Sequence, residues 1–409
     1  MKTLSYIGFL LLFLVSCQRN SSKGIETIDI EAALKSKGEL LLSEIASDVQ
    51  FIALHNLDSA TYIQNNVNQY CVGEQVICVV NTNPAEILLF ARDGNFIRKI
   101  GRRGKGPGEF NSIPVIALNE SNKTILIADN LFKKFIVYNY EGVCLKEKPF
   151  KNYPDIALMR VGDIALGADG NYILEHEWMQ SAIGKCFNLL VLNPQLELVQ
   201  TSCPGSSASG SNFASLNSQR IQEVHGAVRY WSKNTDTVYS ISKDYSIQPL
   251  YQFNNPDRLV MDAMGNRALK GHVALTAFLE TSNYLLIEGE VARKPFLISY
   301  NKKTGVGNQV FARGKCGIPA PEKFGIENDL FGYTPICLGW DLANIYQGKL
   351  IEILHPITVE SLDEWLHEKL YDCLTASQSS LPAKRDELVK LIKNMNENSG
   401  PILMVMTLK

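Results

Sequence analysis

Long apolar runs are absent beyond the first segment of the chain, so a polytopic membrane protein is excluded. Charge of one sign is not in excess either. Forty Lys and Arg stand against 42 Asp and Glu, a net charge of −2. Nucleic-acid binding calls for a strong basic surplus, and none exists. No Cys-x-x-Cys occurs, and no Cys/His spacing suits zinc. Gly-x-Ser-x-Gly is missing, which removes the nucleophile elbow of the α/β hydrolases. P-loop and dinucleotide fingerprints are missing too. What remains is ordinary globular material: 45% apolar residues over 409 positions, enough to bury a large core.

The one apolar run says where the chain goes. Leu4 to Val15 is almost wholly apolar, with Lys2 as the only charge before it. It is too short to span a bilayer and fits the apolar region of a signal peptide. It ends in Leu14-Val15-Ser16-Cys17, which resembles a bacterial lipobox. The resemblance implies cleavage after residue 16 and acylation of Cys17. Residues 1–16 read as signal peptide and 17–40 as the lipidated cysteine, a polar tether and an N-terminal segment. The ring described below takes 41–409. A cell-envelope lipoprotein follows, most readily in the outer membrane, facing the periplasm or the cell surface.

The body of the chain repeats. Apolar stretches close on tight turns beginning at Phe90, Tyr138, Leu192, Ile241 and Tyr300, a period near fifty residues. Asp93-Gly94, Glu141-Gly142 and Thr304-Gly305 supply hairpin chemistry, since Gly accepts positive φ without a steric penalty. Each copy has an earlier strand in step: Val76–Val80, Ile125–Ala128, Tyr172–Leu174, Val228–Trp231 and Tyr284–Ile287. Antiparallel strands repeating at this period predict propeller blades. The sixth copy is split. Val49–Leu54 and the apolar Ile402–Leu408 are expected to pair, closing the ring with a strand from each chain end and removing its open edges. A small two-helix insertion, about 361–396, precedes the last strand. Its first helix carries the capping box Ser361-Leu-Asp-Glu364, and its second runs from about Pro382 to Met395. The predicted fold is an all-β six-bladed propeller.

The stretch Phe90-Ala-Arg-Asp-Gly-Asn-Phe-Ile-Arg-Lys-Ile-Gly-Arg-Arg-Gly-Lys-Gly-Pro-Gly-Glu-Phe110 resembles the six-bladed β-propeller lipoproteins of Bacteroidetes, and more distantly NHL-type repeats. Leu42-Ser-Glu-Ile45, Asp236-Thr-Val-Tyr239 and Gly400-Pro401-Ile-Leu echo the same family. The resemblance implies a fold and an envelope location, and no reaction.

Function is expected in the long loops that share one face of the ring: 101–113, 177–188, 203–220, 254–268 and 313–332. Arg102, Arg103, Lys105 and Glu109 in the glycine-rich loop are candidates for contact with an anion or a glycan. The bland reading has Glu109 capping backbone amides and Phe110 filling a gap in a connector. Trp178 and Trp231 could stack on a sugar, or pack between blades. Asp129, Glu177 and Glu288 lie near the ends of second strands. If a metal is held, these are its candidate ligands, and calcium suits their oxygen donors. No cofactor is otherwise expected. Cys71 and Cys78 flank Gly73-Glu-Gln75, so a two-residue hairpin sets them opposite each other. A cross-strand disulfide and a pair of buried free thiols are the two readings. The leading functional reading is a non-catalytic module binding a glycan, a peptide or an envelope protein. A divalent-ion-dependent hydrolase or lyase at the channel mouth, and a structural scaffold in an envelope complex, are the alternatives.

Overall fold

The computed structural model describes residues 24–409 apart from 56–62, 64–66, 83, 114, 154–159, 178–188, 203–220, 225, 232–235, 262–267, 313–322, 333–343, 355–373, 375–378 and 396–398. Within each repeat the residues sort by depth. Thr124–Asp129 is buried at all six positions, while the last strand of the same copy, Cys144–Pro149, is exposed or half-buried throughout. A strand covered on both faces has to be apolar nearly everywhere, and an outermost one does not. This gradient builds four-stranded antiparallel sheets in simple sequence order.

Blade 1 comprises Val67–Val72, Val76–Thr82, Ala85–Ala91 and Phe96–Ile100. Blade 2 runs from Val115–Asn119 through Thr124–Asp129 and Lys134–Asn139 to Cys144–Pro149. Blade 3 is Arg160–Leu166, Tyr172–Glu177, Leu189–Leu192 and Leu198–Ser202. Blade 4 is Ile221–Val224, Ala227–Trp231, Thr237–Ile241 and Ile247–Asn254. Blade 5 is Val273–Glu280, Tyr284–Val291, Lys294–Asn301 and Val306–Ala312. Blade 6 takes Asn344–Tyr346, Lys349–Leu354 and Ile402–Leu408 from the C-terminal part, and Ala46–Ala53 as its outermost strand. The closing register pairs Ile402 with Ala53 and Met406 with Val49, the predicted joining of the chain ends.

Six apolar layers lie between successive blades. Ile100, Ile116 and Tyr138 belong to the layer between blades 1 and 2. Between blades 2 and 3, Phe135 packs its ring 4.5 Å from that of Phe150 and 5.8 Å from that of Tyr153. Trp231, Phe253 and Phe278 fill the layer between blades 4 and 5. The largest layer, between blades 5 and 6, also receives Leu388 and Ile392 from helix Pro382–Lys393. That helix is the second of the two predicted insertion helices. The first falls outside the described residues.

The N-terminal segment does more than tether. Glu26–Asp29 adds a parallel strand to the outer edge of blade 4. A short helix, Ile30–Lys35, crosses to blade 5, where Lys37–Gly38 again pairs in parallel with the outer strand. The chain then enters blade 6. Residues 26–40 therefore belong to the rim of the ring, covering two edges that would otherwise present unpaired backbone.

Two of the third-to-fourth hairpins hold a residue other than glycine at positive φ. Gly94 and Gly142 have φ of +91° and +80°, but Leu196 and Tyr245 hold the matching places at +59° and +63°. Both side chains are buried. The Leu196 carbonyl accepts hydrogen bonds from Lys148 and Tyr153 of the preceding blade, each at 2.7 Å. The Tyr245 hydroxyl donates to Asp169 at 2.5 Å. Inter-blade packing offsets the left-handed backbone here.

Candidate functional site

First strands face the axis of the ring, and their polar residues are the natural place to look for chemistry. Most are committed to a neighbouring blade. Gln69 of blade 1 accepts from the Ile116 N–H at 2.9 Å and donates to the Ile116 carbonyl at 3.3 Å, in blade 2. Asn130, just after the second strand of blade 2, makes the same two-bond clasp on Val161 of blade 3, both bonds at 2.9 Å. Asp163 of blade 3 accepts the Ile221 N–H of blade 4 at 2.9 Å. Gln222 of blade 4 clasps Glu280 of blade 5, accepting its N–H at 3.0 Å and donating to its carbonyl at 3.2 Å. Each pin points from one blade to the next. Gln and Asn suit the task because one amide offers a donor and an acceptor to a single backbone residue.

Blade 6 closes the series differently. The Tyr346 hydroxyl accepts from the Leu118 N–H at 3.3 Å and donates to the Leu118 carbonyl at 3.1 Å, reaching past blade 1 to blade 2. Burial holds this phenol well above its ordinary pKa. The axial cavity that remains is about 40 Å³, lined in part by Gln69, Asp163, Gln222, Glu223 and Tyr346. That is room for a few water molecules. Glu223 is the carboxyl on its wall with no link between blades, and burial raises its pKa. These pins were not anticipated from the sequence. Their only signal is a lone amide inside an apolar strand, as in Gln69-Tyr70-Cys71-Val72.

Of the three candidate metal ligands, Asp129 is engaged by the backbone. Asp129 is fully buried, and its carboxylate already accepts three backbone N–H groups: Leu131 at 2.9 Å, Phe132 at 3.0 Å and Asn111 at 2.9 Å. It shapes the connector between blades 1 and 2 and the turn after its own strand. Glu288 is buried on the second strand of blade 5, across the ring from blade 2. Glu177 ends the second strand of blade 3, and its side chain lies outside the described residues. Among the described residues, no three of His, Cys, Asp and Glu converge as a metal set.

The glycine-rich loop follows the bland reading. Glu109 accepts the Gly106 N–H at 2.7 Å and pairs with Arg102 at 2.5 Å. The Gly106 amide, then Arg102, hold its carboxyl below the usual range. A side chain at Gly104 would fall 2.0 Å from the Glu109 carboxylate, which would have to move aside. Phe110 is 1% exposed in the layer between blades 1 and 2. Arg103 donates to Asn111 at 2.8 Å, and Arg102, Arg103 and Lys105 face solvent.

Of the two readings for Trp231, a ligand contact and packing between blades, the structure shows the packing. It is 1% exposed, with its ring 6.2 Å from Phe253 and 5.9 Å from Phe278. The strand there alternates, and Trp231 falls on the face turned toward blade 5. Trp178 lies outside the described residues.

Cys71 and Cys78 stand directly opposite each other, as predicted, and both are buried free thiols. The register explains this. Gly73 donates to the Val76 carbonyl at 3.0 Å, so that pair is hydrogen-bonded. Bonded and non-bonded pairs alternate, which makes Cys71–Cys78 a bonded pair too, with Cα atoms ~5.5 Å apart. That Cα separation alone would allow a disulfide, but Cβ atoms in a hydrogen-bonded pair lie ~5.5 Å apart, wider than the ~3.8 Å a disulfide requires.

With this geometry in view, known proteins can be compared. A family model described as a domain of unknown function, DUF4934, matches residues 25–407. The chain belongs to that family. The match begins at Ile25, one residue before the rim strand. No curated protein matches the sequence. Among solved structures, a Bacteroides fragilis protein described as exported has a TM-score of 0.64 at 15% identity, covering 94% of this chain and 100% of that one. A DUF4221 member from Bacteroides vulgatus has a TM-score of 0.45 at 8% identity, covering 89% and 97%. Virginiamycin B lyase from Staphylococcus aureus has 0.39 at 12% identity, covering 68% and 77%. The first likeness supports the fold, and the other two carry no chemistry across. DUF4934 is thus a six-bladed propeller family of the kind the Phe90–Phe110 stretch resembles.

Proposed function

We propose that this DUF4934 protein is a non-catalytic binding module of the bacterial cell envelope, lipidated at Cys17. One observation carries the reading. Most of the described polar side chains around the axis, Glu223 apart, link blade to blade, and Asp129 accepts three backbone amides. A ring pinned in this way is a rigid frame, and recognition belongs to what it displays. The connectors and second-to-third loops all leave the same face, where Arg103 and Lys105 are exposed. Loops on a rigid frame are the common site of recognition. The ligand class is a glycan, a peptide or an envelope protein.

The leader sequence and lipobox support the location. No described helix is long and apolar enough to cross a membrane, and the Bacteroides fragilis relative is itself described as exported. Two experiments test the reading. Metabolic labelling with a fatty acid should mark the wild-type chain and spare Cys17→Ser. A glycan array and affinity capture with the chain from Gln18 should find a ligand whose binding falls in Arg103→Ala or Trp178→Ala. Equal binding by wild type and both variants would count against the long-loop face.

A further inference from the structure

The described chain enters the ring at one place, the rim of blade 4. Glu26 lies beside Tyr251 and Asp29 beside Asn254 of the outer strand. Ile28 and Ile30 are fully buried there. Tyr300, at the hairpin end of the third strand of blade 5, donates to Glu26 at 2.9 Å. Glu26 thus sits toward the face of the short third-to-fourth hairpins. At this end of the strand Ile25 is 46% exposed, and a side chain built at Gly24 would meet nothing within 4 Å. Three successive pairings hold the segment, at 26–29, 37–38 and 46–53. A pull on the N-terminus is therefore delivered to blade 4.

Only eight steps of chain separate Cys17 from Ile25. Fully extended, they reach at most ~28 Å. Blade 1 lies diametrically opposite blade 4 in a ring of six. Resting on the lipidation of Cys17, we propose that the ring stands on the membrane by the rim of blade 4. Lipid headgroups are the partner of that rim, and blades 1 and 2 are held away from the surface. Lys243 and Lys303, in the third-to-fourth hairpins of blades 4 and 5, are exposed beside the point of attachment. Lys243 shares its hairpin with the exposed Asp244, so the short tether, and not local charge, sets the contact with the headgroups. The Gly101–Phe110 loop and the exposed Ile97, Val143 and Leu145, in or just before the outer strands of blades 1 and 2, then sit on the far side, open to a partner from solution.

Energy transfer tests this. A click-reactive side chain replaces Lys243, Ile97 or Leu131, one at a time, and carries a donor dye. None of these three side chains links blades. The lipidated full chain is placed in vesicles of phosphatidylethanolamine and phosphatidylglycerol containing a headgroup-labelled acceptor lipid. A second form, beginning at Gln18 behind a hexahistidine tag, is held on nickel-chelating lipid in the same vesicles. Transfer should be severalfold greater from position 243 than from 97 or 131 in both forms. Equal transfer from all three positions in the tethered form would overturn the orientation. A full chain that stays in the soluble fraction would sink the lipidation reading and the natural anchoring with it. The nickel-held form would still report the rim geometry on its own.

Discussion

Glu352 offers a test of how tightly blades 5 and 6 close. It sits on the second strand of blade 6 opposite Met404, between Leu350 and Leu354, which face the layer shared with blade 5. Among the described residues its carboxyl has no hydrogen-bond or ion-pair partner. Burial of its carboxyl pushes the pKa from an ordinary 4.5 up to about 8. The folded chain therefore holds this proton more tightly than the unfolded chain does. Stability attributable to Glu352 is complete below pH 4.5, declines as pH rises, and is lost above about 8. At ~1.36 kcal/mol per pH unit, the interval from 4.5 to about 8 has a ceiling of about 4.8 kcal/mol. The residue keeps some contact with solvent although its carboxyl is enclosed, so about half of that, ~2 kcal/mol, is the expected size. Glu352→Gln keeps the shape and removes the titration. Urea unfolding of the chain from Gln18 should find the two proteins within ~0.5 kcal/mol at pH 5 and the variant ahead by ~2 kcal/mol at pH 9. Parallel profiles from pH 5 to 9 would refute the reasoning and show the carboxyl hydrated in the folded state.

Other perturbations test other joints. Glu280 is 4% exposed and binds Arg229 at 2.6 Å, Lys302 at 3.0 Å and Tyr251 at 3.0 Å. Arg229→Met leaves that carboxylate short of its closest cation and should cost ~3 kcal/mol in denaturant unfolding. Trp231→Ala should cost about 3–5 kcal/mol and leave Cys17 labelling untouched, where a platform role would cost little stability. Gln69→Leu strands the Ile116 N–H and carbonyl and should lower stability by ~2 kcal/mol, read from the same unfolding curves. Cys71 and Cys78 should resist alkylation in the native protein and react fully once unfolded. A native mass two hydrogens lighter, insensitive to alkylation after unfolding, would reverse the register reasoning.

The fold was legible because it is written in periods. Hairpins beginning at 90, 138, 192, 241 and 300 needed only turn chemistry and alternation. The closure between Val49–Leu54 and Ile402–Leu408 followed from a fully apolar strand that had to have neighbours on both sides. The rim segment was not legible. Glu26-Thr-Ile-Asp29 is four residues long and half polar, and nothing local shows that it will lie on a blade more than 200 residues away. Site chemistry was legible only in residue type. Asp129 looks like a ligand in sequence, but its role depends on where three backbone amides fall. Trp231 and a surface Trp have the same identity, and strand phase against the neighbouring blade decides between them. The inter-blade pins of Gln69, Asn130 and Gln222 repeat a function without repeating a motif, since each clasps backbone whatever its side chain.

The central claim is that this ring displays a binding surface and does not work a metal-dependent active site at its axis. The most direct measurement is metal analysis of the purified chain from Gln18, paired with thermal melting with and without chelator. The account predicts substoichiometric metal and an unchanged melting temperature. One tightly held calcium per chain, with a melting temperature that falls when it is removed, would contradict it.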